Sequence, residues 1–196
     1  GCIEVGAFGK EAYVLTGYLN VPKILEVTLH NGVDPVSGRK VGLETGDPRS
    51  FGSYDELYAA FMKQVRYFVD MKVRVSNYID RMFAKYAPAT FLSLFIDDCI
   101  AKGRDYYNCG PRYNTTYIQC TGLGTITDSL ATLKKHIFED KRWSMDELLK
   151  AVKHLEQMSE QAGKRNEKHF SLPGIRLPRL RLPHLDGPTW AVLLMA

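Results

Sequence analysis

Gly1-Cys2-Ile3-Glu4-Val5-Gly6-Ala7-Phe8-Gly9, running on into Lys10-Glu11-Ala12-Tyr13-Val14-Leu15-Thr16-Gly17-Tyr18, opens the chain and governs how the rest is read. The first nine residues are glycine-rich and short-sided, the composition of a loop or strand end where the backbone comes close to something else. In an extended segment, residues two apart point to the same side. The Cys2 thiol and the Glu4 carboxylate can therefore face one pocket and act on neighbouring atoms of one substrate. Pattern alone leaves a second reading open, since a buried cysteine also serves as a small core residue. The apolar recurrence from Ala12 through Leu19 predicts a short buried helix.

Outward from there, Pro22 suits the first turn of a helix, where its missing N–H costs nothing. Ile24, Leu25, Thr28 and Leu29 continue the helical stripe up to the stop at Asn31-Gly32. Residues 33–52 carry Asp34-Pro35, Ser37-Gly38 and Gly46-Asp47-Pro48, and read as an ordered surface excursion. Ser53-Tyr54-Asp55-Glu56 is a capping box, and Leu57, Phe61, Val65, Phe68 and Val69 extend a helix from it to about Tyr86, before Pro88. A second helix is expected over about 90–102, ending at Gly103. Thr115–Gln119 is the best strand candidate, and Thr127-Asp128-Ser129 should open a helix through about Phe138. Ser144-x-x-Glu147 is a second capping box.

With 45% hydrophobic and 24% charged residues in 196, the chain has the balance of a globular protein. No apolar run reaches membrane-spanning length, and the first ten residues lack the pattern of a signal peptide. The absent initial Met suggests a natural start further upstream. Cys2, Cys99, Cys109 and Cys120 form no C-x-x-C pair, and free thiols in a reducing cytoplasm are the expectation. The five histidines make no H-x-x-x-H pair, and Asp97-Asp98 lacks ligand partners at matching spacing, so no metal is expected. Gly122-x-Gly124 before a helix is not a nucleotide loop, for G-x-x-x-x-G-K is missing. Of the net charge of +4, most falls in residues 151–196, which hold seven Lys/Arg against four Asp/Glu, and nothing points to nucleic acid.

Gly1-Cys2-Ile3-Glu4 resembles the cysteine loop of glycyl radical enzymes. Further ordered blocks strengthen the resemblance: Gly9 to Tyr18, Pro22 to Glu26 with Asn31-Gly32, Gly46 to Arg49, Arg112 to Gln119, and Gly124 to Leu130. The similarity covers about residues 1–152, and the blocks look like the branch that dehydrates trans-4-hydroxy-L-proline. The resemblance implies an α/β, mostly helical fold, a fragment of a ten-stranded α/β barrel. It implies a carbon–oxygen lyase in the full-length parent, giving Δ1-pyrroline-5-carboxylate. Cys2 matches the residue that becomes a thiyl radical, Glu4 the acid–base group beside it, and Tyr18 a tyrosine of the substrate pocket. Also implied are an anaerobic cytoplasmic setting, a homodimer, no bound cofactor or metal, and an iron–sulfur, S-adenosylmethionine-dependent partner that installs the glycyl radical. The Arg-Val-x-Gly-Tyr sequence that stores that radical does not occur here, so the chain alone is expected to be inactive. Without the rest of the barrel it is also expected to be poorly soluble. Two positions depart from the family pattern: Cys109-Gly110-Pro111 stands for Gly-Gly-Ala, and Cys120 for Gly.

Residues 153–170 read as a divergent helix end, and 171–196 as a tail in which Pro173, Pro178, Pro183 and Pro188 recur every five residues among Leu and Arg. Such spacing excludes regular helix and central strand. The tail reads as lying outside the domain, with a polyproline-type docking arm as the alternative. Two rivals to the functional assignment remain at this point: a glycyl radical enzyme for a diol or another polar substrate, and a non-catalytic binding or scaffold protein.

Overall fold

The computed structural model describes residues 6–154. The tail and the 155–170 region lie outside them. Strand β1 (Glu11–Asn20) runs directly into helix α1 (Val21–Leu29), and a surface excursion then leads to the long helix α2 (Tyr54–Tyr86). Two short turns, α3 (Thr90–Ser93) and α4 (Cys99–Lys102), precede strand β2 (Tyr113–Thr121) and helix α5 (Leu123–Leu133). A single π turn, Lys134–Glu139, closes α5, and a last helix, α6, occupies residues 145–154. Among the described residues the sheet has two strands, β1 and β2, paired in parallel.

The core forms where α1, α2, α5 and α6 meet. Val21, Ile24, Leu25, Leu29, Leu57, Phe61, Ile126, Leu133, Met145 and Leu149 bury together, and Phe68 packs beside them. Helix α1 is capped by Asn20, whose side chain accepts from the Lys23 N–H at 3.2 Å. It ends as the sequence predicts. Asn31 and Gly32 take φ of 50° and 86°, and the Gly32 N–H closes on the Val27 carbonyl at 2.8 Å. A Cβ at Gly32 would also collide with the Leu43 backbone.

The excursion is pinned at both ends. Lys23 bridges the buried Glu26 and Asp34, standing 2.7 Å from the latter. Partial burial alone would raise the Asp34 carboxyl; the bonds from Lys23 and Ser37 outweigh it and bring the group to about 2. Further on, Gln64, fully buried on α2, accepts from the Leu43 N–H at 3.0 Å and donates to the Leu43 carbonyl.

The Ser144 capping box forms in full, whereas at Ser53 only the hydroxyl half forms and the Glu56 carboxylate takes the Gly52 N–H at 2.9 Å. The Ser53 hydroxyl accepts from the Glu56 N–H at 3.3 Å, and Ser144 exchanges bonds with Glu147 at 2.8 and 3.2 Å. Helix α2 has 33 residues, a length of about 50 Å. Only its first third is buried on the core; Val69, Met71, Val73, Val75, Tyr78 and Met82 are exposed.

Three expectations are corrected. Ala12–Leu19 is strand, not helix. The expected helix over 90–102 splits into α3 and α4, because Asp98 adopts φ 75° and the Ser93 hydroxyl turns to accept from the Tyr106 N–H at 2.8 Å. Asp98 is held there by Arg112, at 3.0 and 3.2 Å, which also keeps its carboxyl below the usual range. Helix α5 begins at Leu123, four residues before the expected start, because Gly122 takes the left-handed conformation at its N-cap, with φ 78°.

Candidate functional site

The register of β1 on β2 decides which side chains share a surface. Glu11 pairs with Tyr113, Tyr13 with Thr115 and Leu15 with Tyr117; Gly17 then pairs with Ile118 and Tyr18 with Gln119. Thr16 is thus an extra residue, a β-bulge, and Gly17 beside it takes φ 138°, which a residue with a Cβ adopts at a cost. A bulge shifts side-chain alternation by one. Without it, Tyr18 would lie opposite Glu11 and Tyr13. With it, Glu11, Tyr13, Leu15, Tyr18, Thr115 and Tyr117 line one face.

The other face packs on α2, which also holds the bulge. Lys72 donates to the Thr16 carbonyl at 2.8 Å, the Thr16 hydroxyl bonds the buried Ser76 at 2.7 Å, and Thr116 bonds Asp80.

On the first face, Tyr13 and Tyr117 stack with ring centroids 5.9 Å apart. Glu11 is 8% exposed and accepts from the Thr115 hydroxyl at 2.6 Å, the Tyr117 hydroxyl at 3.0 Å and the Ala7 N–H at 2.9 Å. The bonds from Thr115 and Ala7 keep its carboxyl below the usual range, so it is charged at neutral pH. The Tyr13 N–H donates to the Tyr106 hydroxyl at 2.6 Å, and burial pushes that phenol upward.

Of the residues singled out in the sequence, Tyr18 lies on this face and is 56% exposed. Cys2 and Glu4 lie outside the described residues. The segment that leads from them, Gly6 to Lys10, meets the same face through Ala7. Glu11 and Lys72 were not singled out, because the Thr115 partner of Glu11 and the Thr16 partner of Lys72 stand 104 and 56 residues away and leave no local pattern. Of the family departures, Cys120 is exposed and Pro111 fully buried, its carbonyl accepting from Lys102 at 2.9 Å. Two surface grooves lie around Pro48 and Arg49, one beside Trp143 and one beside Lys150, and neither borrows a residue from β1 or β2. Among the described residues, no group of three or more His, Cys, Asp or Glu is placed to hold a metal ion, and no helix is long and apolar enough to cross a membrane.

Comparison with known proteins agrees with the sequence resemblance. Trans-4-hydroxy-L-proline dehydratase of Clostridioides difficile is 56% identical over 152 residues, covering 78% of this chain and 19% of that protein. The crystal structure of hydroxyproline dehydratase from the same organism, with trans-4-hydroxy-L-proline bound, superposes with a TM-score of 0.75 at 55% identity, over 79% of this chain and 20% of that one. A glycyl radical enzyme from Archaeoglobus fulgidus matches with a TM-score of 0.67 at 33% identity, over 77% of this chain and 19% of that one. The chain therefore spans about a fifth of the length of these relatives. The pyruvate formate lyase-like family model matches residues 1–155, and the chain belongs to that family.

Proposed function

We propose that this chain is the cysteine-loop segment of a glycyl radical dehydratase acting on trans-4-hydroxy-L-proline. The identity of 56% to the C. difficile dehydratase carries the reading. In this proposal residues 1–152 belong to the barrel and the Pro/Leu/Arg tail does not. The radical is stored on a glycine outside these residues, and an activating partner with an iron–sulfur cluster and S-adenosylmethionine installs it. A cytoplasmic homodimer in anaerobic conditions belongs to the same reading.

Cys2, as a thiyl, takes a hydrogen atom from the ring carbon beside the nitrogen: an S–H bond forms and a C–H bond breaks. The neighbouring hydroxyl leaves as water, with Glu4 moving the proton it needs; a carboxyl whose pKa is tuned by its surroundings can both accept and donate. Cys2 then returns its hydrogen atom to the product radical, giving Δ1-pyrroline-5-carboxylate and restoring the thiyl. Tyr18 supplies ring surface and a phenol hydroxyl to the substrate. Its place on the face that meets the Gly6–Lys10 segment supports this role.

The test is turnover by the full-length enzyme that carries this segment, activated without oxygen. Hydroxyproline should be consumed with release of Δ1-pyrroline-5-carboxylate, and glycerol and 1,2-propanediol should be poor substrates. Turnover of diols alone would overturn the substrate assignment. In the same enzyme, Lys72→Met removes the bond that holds the Thr16 bulge. The net worth of such a bond is about 1 kcal/mol, so KM for hydroxyproline should rise roughly three- to tenfold through a displaced Tyr18. An unchanged KM would detach the bulge from substrate binding.

A further inference from the structure

We infer that Glu11 is a positioning residue for the cysteine loop, its buried carboxylate tying the chain just past Cys2 to strand β2. The inference rests on the reading above, in which Cys2 abstracts the hydrogen.

Glu11 uses its two oxygens on two different parts of the chain. Oε1 accepts from Thr115 and Tyr117 of β2, at 2.6 and 3.0 Å, and Oε2 accepts from the Ala7 N–H at 2.9 Å. The Ala7 carbonyl is held as well, by the Lys10 N–H at 2.9 Å, and the Gly9 carbonyl by the Asp97 N–H at 2.8 Å. Of these anchors, the Ala7 N–H lies nearest to Cys2 in the chain, five residues on. Five residues span at most about 17 Å when extended, so the bonded Ala7 stands within that covalent reach of Cys2.

Gly6 adds a second observation. A Cβ there would overlap the Tyr13 hydroxyl and Glu11 Oε2. Neither atom is free to retreat: Glu11 is held by three bonds, and the Tyr13 ring is stacked on Tyr117. The backbone entering the loop is therefore pressed against the carboxylate that anchors it. Hydrogen-atom transfer needs the reacting atoms about 3–3.5 Å apart, and a misplacement near 1 Å can cost on the order of a hundredfold.

The test compares Glu11→Met, Glu11→Gln and Gly6→Ala in the full-length, activated enzyme, reading kcat per glycyl radical spin by electron paramagnetic resonance, and KM for hydroxyproline. Met fills the space but accepts nothing, and should lose kcat about 10- to 100-fold with radical content and KM near those of the parent. Gln should keep most activity. Its amide oxygen can take the Ala7 N–H, while the Thr115 and Tyr117 hydroxyls rotate to accept from its NH2. Gly6→Ala should lose kcat as Met does. A purely space-filling role predicts that Met and Gln behave alike, and that result, or parental kcat in Glu11→Met, overturns the inference. If Glu11→Met does not fold, Gly6→Ala against Glu11→Gln decides. Cys2→Ser run in parallel separates the two levels: turnover without the thiol defeats the functional reading, whereas a dead Cys2→Ser beside a fully active Glu11→Met defeats the positioning role alone.

Discussion

Replacing Cys2 with serine in the full-length, activated enzyme is expected to abolish dehydration while leaving the stored glycyl radical in place. Sulfur is polarisable and holds hydrogen weakly, so a thiol can give up an atom to a carbon radical and later take one from a substrate carbon. A serine hydroxyl holds its hydrogen far more tightly, and the relay stops at its first step. The loss should exceed about four orders of magnitude in kcat, or more than about 5 kcal/mol added to the barrier. Radical spin counting beside a product assay checks both halves. Measurable turnover by the serine variant would mean that another group takes the hydrogen.

Stability should respond most strongly at Leu57. It is fully buried at the junction of α1, α2 and α5, in the cluster with Phe61, Ile126 and Leu133. Truncation to alanine leaves a cavity that this packed junction fills only partly, and should cost about 3 kcal/mol. Val75, on the far stretch of the same helix, is 47% exposed, and Val75→Ala should change stability by less than about 0.5 kcal/mol. Shifts of the urea unfolding midpoint of the full-length enzyme, followed by circular dichroism, compare the two. Equal losses would show that the distal half of α2 shares the core.

What the sequence revealed follows from the range of the forces involved. Helix ends were legible because caps are local: Ser53 with Glu56, Ser144 with Glu147, and the Asn31-Gly32 stop all act within five residues. β2 was legible from its β-branched and aromatic run. β1 was misread because its apolar pattern does not alternate. One face meets α2 and the other carries Glu11, Tyr13 and Tyr117, while the bulge at Thr16 shifts the phase midway. The break between α3 and α4 was hidden for a similar reason, since Asp98 is set by Arg112, 14 residues later. Tyr18 was singled out through family resemblance alone, not through any local pattern. The contacts of Glu11 with β2 and of Lys72 with Thr16 could not be seen, because each joins segments distant in the chain.

The pairing of β1 with β2 has a consequence for synthesis on the ribosome. The two strands begin 102 residues apart, at Glu11 and Tyr113. At about 5–20 residues per second, the first emerges roughly 5–20 seconds before its partner exists. Throughout that interval the nascent chain can assemble α1 against α2, but its first strand has unsatisfied amides and carbonyls along the edge that β2 will later occupy. That window is when the unpaired edge of the first strand is most open to wrong pairing.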